Sequence, residues 1–98
     1  LNDNISLFRA LASQAGISLT ASQTAIQPII IGDNTLTMTV ADSLAQKGFK
    51  VGAIRSPTVP VGSARLRITL NAKHTSAQIH QLVAQLALLL IDQPNENP

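Results

Sequence analysis

Ninety-eight residues with a formal charge of +2 suffice for one small domain with a single core and little surplus stability. Hydrophobic residues make up 45% of the chain, which argues against a disordered chain, and the absence of cysteine excludes a disulfide framework and a thiolate metal site. Phe8 and Phe49 are the only aromatics, so stacking platforms for single-stranded nucleic acid or an RNA-recognition sheet are missing, and no nucleic-acid partner is expected.

The charge is unevenly placed. No acidic residue occurs between Asp42 and Asp92, whereas Lys47, Lys50, Arg55, Arg65, Arg67 and Lys73 all fall there. Such an excess suits either an anionic ligand or a solvated basic face. The longest apolar run, Leu86 to Ile91, is too short to span a bilayer, and the signal-peptide pattern is missing. We therefore expect no membrane partner and a cytoplasmic setting. Leu1 opens almost directly into a helical pattern, which leads us to expect one domain over residues 1–98, cut from a longer protein.

In chain order, Asn4 is the expected N-cap of a first helix, with Leu7, Phe8, Leu11, Ala12 and Ala15 at helical spacing and Gly16 as its stop. Ile17 to Ser22 reads as a short extended edge segment. Thr24 to Ile31 is a β-branched, apolar strand closed by Gly32-Asp33-Asn34, a turn able to cap a helix, and Pro28 places that strand at an edge. From Thr35 to Val40 the alternation is that of a strand, yet Leu36, Val40, Ala41, Leu44 and Ala45 share a helical face and Gly48 supplies a stop. The pattern predicts a helix from about Asn34 to Lys47, with its first half the least stable helical segment.

Phe49 to Arg55 is a second strand and Ala64 to Asn71 a third, joined by a loop stiffened by Pro57 and Pro60. Thr75-Ser76-Ala77-Gln78 is a capping box, followed by Ile79, Leu82, Val83, Leu86, Leu89 and Leu90 as an apolar helical stripe. Residues 93–98 read as a flexible tail. The order helix, strand, helix, strand, strand, helix is best satisfied with the third strand in the middle. The expected fold is therefore α+β: a two-layer sandwich in which a three-stranded, mainly antiparallel sheet carries helices on one face.

In the third strand Leu66, Ile68 and Leu70 point to one face, and Arg65, Arg67 and Thr69 to the other. Guanidinium groups on a bare sheet face offer planar, two-pronged donors for a carboxylate. The residues assemble no catalytic constellation: His74 and His80 lie before and within the last helix, a third metal ligand is missing, and Gly32-Asp33-Asn34 lacks the glycine spacing of a phosphate loop. A free-standing anion-binding regulatory module is one reading of such a face.

Four segments carry a resemblance: Thr24-Ala-Ile-Gln-Pro-Ile-Ile-Ile-Gly-Asp-Asn34, Gly48-Phe-Lys-Val-Gly-Ala-Ile-Arg55, Pro57-Thr-Val-Pro60 and Ala64-Arg-Leu-Arg-Ile-Thr-Leu70. With them the chain resembles the C-terminal domain of the α-oxoamine synthases, a family of fold-type-I pyridoxal-phosphate enzymes, from Asn4 to Ile91. The resemblance implies a decarboxylative condensation of an amino acid with an acyl thioester. Ala-Ile-Arg before the loop favours the biotin-pathway member, which joins L-alanine to a pimeloyl thioester on CoA or a carrier. It also implies that Arg67 holds the substrate carboxylate, that Arg55 helps to position substrate, and that the loop bearing Thr58 lies beside the acyl site. Arg65 receives no role. Pyridoxal phosphate, its lysine and the residues around its ring would belong to a large domain of the same chain, within a homodimer. No catalytic, cofactor-binding or metal residue is then expected here, and the piece alone should be inactive.

Overall fold

The computed structural model describes residues 2–91 and contains α1 (Asn2–Gln14), β1 (Ile26–Gly32), α2 (Asn34–Gln46), β2 (Lys50–Ile54), β3 (Ala64–Thr69) and α3 (Ser76–Ile91). The tail expected over residues 93–98 lies outside the described residues. In α1, Ile5, Phe8 and Ala12 recur at helical spacing and are buried. The helix stops because Gly16 adopts a φ of +83°, which brings the Ile17 N–H back to the Ala12 carbonyl at 2.9 Å. Asn4 is not the N-cap: it lies inside α1, and its Nδ2 donates to the carbonyls of Asn71 and His74, both at 2.9 Å. A tertiary acceptor pair won the amide that the local pattern assigned to capping.

The ambiguous stretch after Asp33 is helical. Asp33 caps α2, accepting the Leu36 N–H at 2.6 Å through its carboxylate. The hydroxyls of Thr37 and Thr39 donate to the Asp33 and Thr35 carbonyls at 2.6 and 3.0 Å, so these poor helix formers are satisfied within the preceding turn. Burial of Thr37, Val40, Ala41 and Leu44 then outweighs local propensity. The capping box of α3 is reciprocal: the Thr75 N–H donates to Gln78 Oε1 at 2.8 Å, and the Gln78 N–H to Thr75 Oγ1 at 3.1 Å.

The sheet order is β1-β3-β2, antiparallel throughout, with the arginine strand in the centre. Pro28 therefore sits on an edge strand, where a missing donor is tolerated. The segment from Ile17 to Ser22 makes no sheet pairing; the Ser22 hydroxyl instead holds a local turn by donating to the Ile26 carbonyl at 2.6 Å. Ile29, Leu66, Ile68 and Leu70 on one sheet face form a single core with Phe8, Leu44, Leu82 and Leu86 of the three helices. Each such side chain contributes about 1.5–3 kcal/mol by leaving water. The α+β sandwich with all helices on one side is thus the observed fold, and no helix among the described residues covers the opposite sheet face.

Within the core face lies one fully buried amide, Gln27. Its Oε1 accepts from Arg9 Nη1 at 2.8 Å, and its Nε2 donates to the carbonyls of Thr24 and Ser22 at 2.8 and 3.2 Å. The turn into β1 is anchored to the core by this amide.

Candidate functional site

Register places three rows across the open face: Ile26, Thr69 and Lys50; Pro28, Arg67 and Gly52; Ile30, Arg65 and Ile54. The two arginines of β3 therefore have different surroundings. Arg65 is half-buried between two isoleucines, and its Nε donates to the Ser63 carbonyl at 3.3 Å. Arg67 is exposed, stands between a proline and a glycine, and makes no hydrogen bond or ion pair among the described residues.

Arg67 also lines an open depression of about 560 Å³ together with Ile26, Lys50, Val51, Gly52 and Thr69. Two cations and a hydroxyl border that hollow and no acid does. It can receive an anion, and the guanidinium gives a carboxylate two parallel hydrogen bonds in a fixed plane. Lys50, Gly52 and Thr69 were absent from the expected site. Their alternation was legible, but the register that puts them beside Arg67 was not.

Arg55 follows the last residue of β2 and is exposed. Since Arg67 pairs with Gly52, Arg55 lies three residues further along, about 10 Å in the strand direction. Thr58 is exposed within the loop, which is tightened by a bond from the Val59 N–H to the Arg55 carbonyl at 3.3 Å and contains a cis Ser56–Pro57 peptide. Neither Arg55 nor Thr58 borders the hollow that holds Arg67; they occupy the loop end of the sheet. His74 and His80 are engaged locally. His74 Nδ1 accepts the Asn71 N–H at 3.3 Å with its ring centroid 5.9 Å from that of Phe49, and His80 Nδ1 lies 2.9 Å from the Ser76 carbonyl. No group of three His, Cys, Asp or Glu among the described residues is placed to hold a metal ion. Nor is any helix among them long and apolar enough to cross a membrane.

One helical layer on an antiparallel sheet, with arginines on its bare side, is the arrangement expected of the small domain of a fold-type-I pyridoxal-phosphate enzyme. Residues 1–86 match the family model described as aminotransferase class I and II, and the chain belongs to that family. It is 53% identical over 77 residues to the 8-amino-7-oxononanoate synthase of Cupriavidus metallidurans, covering 79% of this chain and 19% of the relative. Against the same enzyme of Stenotrophomonas maltophilia it is 49% identical over 87 residues, covering 89% of this chain and 21% of the relative. Among solved structures, the 8-amino-7-oxononanoate synthase of Francisella tularensis superposes with a TM-score of 0.74 at 25% identity, over 88% of this chain and 25% of that one. Serine palmitoyltransferase of Sphingomonas wittichii gives a TM-score of 0.75 at 26% identity, over 89% and 22%. The resemblance to α-oxoamine synthases holds, and the chain spans about one fifth of the length of these curated relatives.

Pyridoxal phosphate needs a lysine for its aldehyde and polar partners for its ring and phosphate. Lys47, Lys50 and Lys73 are all exposed, and the open sheet face carries no acidic residue to pair with a ring nitrogen. The described residues do not assemble a holder for that group.

Proposed function

We propose that this chain is the C-terminal small domain of a pyridoxal-phosphate acyltransferase, 8-amino-7-oxononanoate synthase. The reaction joins L-alanine to a pimeloyl thioester of CoA or a carrier protein, giving 8-amino-7-oxononanoate, carbon dioxide and free thiol in biotin biosynthesis. The observation that carries the reading is Arg67, an uncommitted guanidinium in an acid-free hollow of a chain about half identical to such enzymes.

Arg67 grips the carboxylate of alanine through two parallel hydrogen bonds. That grip fixes the rotation of the amino acid and hence which bond to its Cα is presented for reaction, so the contribution of this domain is orientation. Arg55 and Thr58, on the loop beyond β2, contact the substrate from the loop side. The electron-withdrawing chemistry is supplied by pyridoxal phosphate held in a large domain of the same chain. Ile30, 52% exposed, and the half-buried Ile26 and Ile54 flank the arginines, giving the face apolar area for that domain to cover. The complete enzyme is taken to be a cytoplasmic homodimer, and the isolated domain to be without activity.

The test is Arg67→Ala in the complete enzyme. It should raise the alanine KM or abolish turnover while cofactor content and the visible absorbance of the bound cofactor stay as in the parent. Unchanged steady-state kinetics would refute the reading. Adding pyridoxal phosphate to the isolated domain should give no specific aldimine absorbance, and a borohydride-reducible adduct confined to one lysine would contradict the reading. Calorimetry showing tight carboxylate binding by the domain alone would favour an independent anion-binding module instead.

A further inference from the structure

The loop carrying Arg55 and Thr58 meets one turn, Gly32 to Asn34, at both ends, bonded to it at the near end and in close approach at the far end; this turn ends β1 and starts α2. At the near end, Asn34 Nδ2 donates to Ser56 Oγ at 2.8 Å, and the Ser56 N–H donates to Asn34 Oδ1 at 3.4 Å. At the far end, Gly32 adopts a φ of +100°, and a Cβ there would stand 3.3 Å from the Gly62 carbonyl. The sheet register between β1 and β3 shifts at this same place, between Ile30 and Gly32. Asn34 and Ser56 are both half-buried, so their contact is sheltered from competing water.

We propose that Asn34 is a positioning residue for substrate: its amide clamps Ser56 and thereby sets the direction in which the adjacent Arg55 leaves the end of β2. This rests on the reading of Arg55 as a substrate contact. An amide suits the task because it offers N–H donors and an acceptor oxygen in one rigid plane, matching the Ser56 hydroxyl oxygen and N–H together. Without the clamp, the Arg55 end of the loop is held only by the bond from the Val59 N–H to the Arg55 carbonyl, and the side chain loses its fixed direction. A displacement of about 1 Å at a positioning group is enough to lower turnover substantially. Nothing in the chemistry requires Asn34 to touch substrate, cofactor or reacting atoms.

The experiment is a double-mutant cycle on the complete enzyme, with Arg55→Ala also measured alone. Asn34→Ala should lower kcat/KM roughly tenfold, with cofactor content unchanged. In an Arg55→Ala background it should lower it hardly further, because the clamp acts through Arg55. Ser56→Ala should reproduce part of the loss and Ser56→Thr, which keeps the hydroxyl, should restore it; this pair also serves if Asn34→Ala does not fold. The proposal is overturned if Asn34→Ala and Ser56→Ala leave kcat/KM unchanged, or if their losses persist in full without Arg55. The single variants separate the two claims. A silent Arg55→Ala refutes the reading of Arg55 as a substrate contact and the clamp with it, whereas a crippled Arg55→Ala beside a silent Asn34→Ala refutes the clamp alone.

Discussion

Arg67 of β3 stands directly across the sheet from Gly52 of β2, so its guanidinium faces a position with no side chain. That pairing leaves the hollow open, and Arg67 makes no hydrogen bond or ion pair among the described residues. The same strand sets Arg65 opposite Ile54 and bonds it to Ser63.

The two arginines should therefore separate under mutation. A charge-assisted bond contributes about 1.5–3 kcal/mol, so Arg67→Ala in the complete enzyme should cost about one to two powers of ten in kcat/KM for alanine. Arg67→Lys should recover little, since an ammonium cannot give two coplanar bonds. Arg65→Ala should have the smaller kinetic effect. Steady-state kinetics at varied alanine concentration would check the order, and equal losses at the two sites would contradict it.

Filling the glycine position tests the hollow without touching an arginine. A Cβ at Gly52 would meet nothing within 4 Å, so Gly52→Val should be accepted by the fold. A strand-favouring residue there should even add about 0.5–1 kcal/mol. Its branched side chain would crowd the guanidinium, and the alanine KM should rise at least severalfold while the melting temperature holds or increases. A folded variant with an unaltered KM would remove the hollow from consideration.

Gln27→Leu should be destabilising although it replaces a polar core residue with an apolar one. The change leaves Arg9 without its acceptor and the carbonyls of Ser22 and Thr24 without their donor. Unsatisfied groups of this kind cost about 1–3 kcal/mol. This domain's thermal transition should fall by several degrees, about 4–8 °C per kcal/mol for its size.

Asp33→Ala removes the cap from a helix whose first turns contain threonines. The expected loss is about 1 kcal/mol, felt locally at α2. Amide hydrogen exchange in the first turn of α2 should quicken roughly fivefold for that loss, while α3 stays protected. Asp33→Asn, which keeps an acceptor oxygen, should show much less.

Most of the fold was legible because short-range rules governed it. The stops at Gly16 and Gly48, the capping box at Thr75 and Gln78, and the edge placement of Pro28 all follow from local stereochemistry. Asn4 shows where such rules fail, since its amide found carbonyls 67 and 70 residues away. The Thr35 to Val40 stretch was ambiguous for the same reason: both periods fit, and helix formation depended on the core that Val40 and Leu44 join.

Alternation along residues 64–70 determined by itself that Arg65 and Arg67 share a face opposite Leu66, Ile68 and Leu70, because strand side chains have a period of two. Connectivity likewise placed their strand in the middle. Only the tertiary structure decided that Arg65 is committed and Arg67 without a partner among the described residues, and that Asn34 holds Ser56 from 22 residues away. Those outcomes depend on register and on which turns meet at the end of the sheet, and partners brought together by folding leave no periodic signature in the chain.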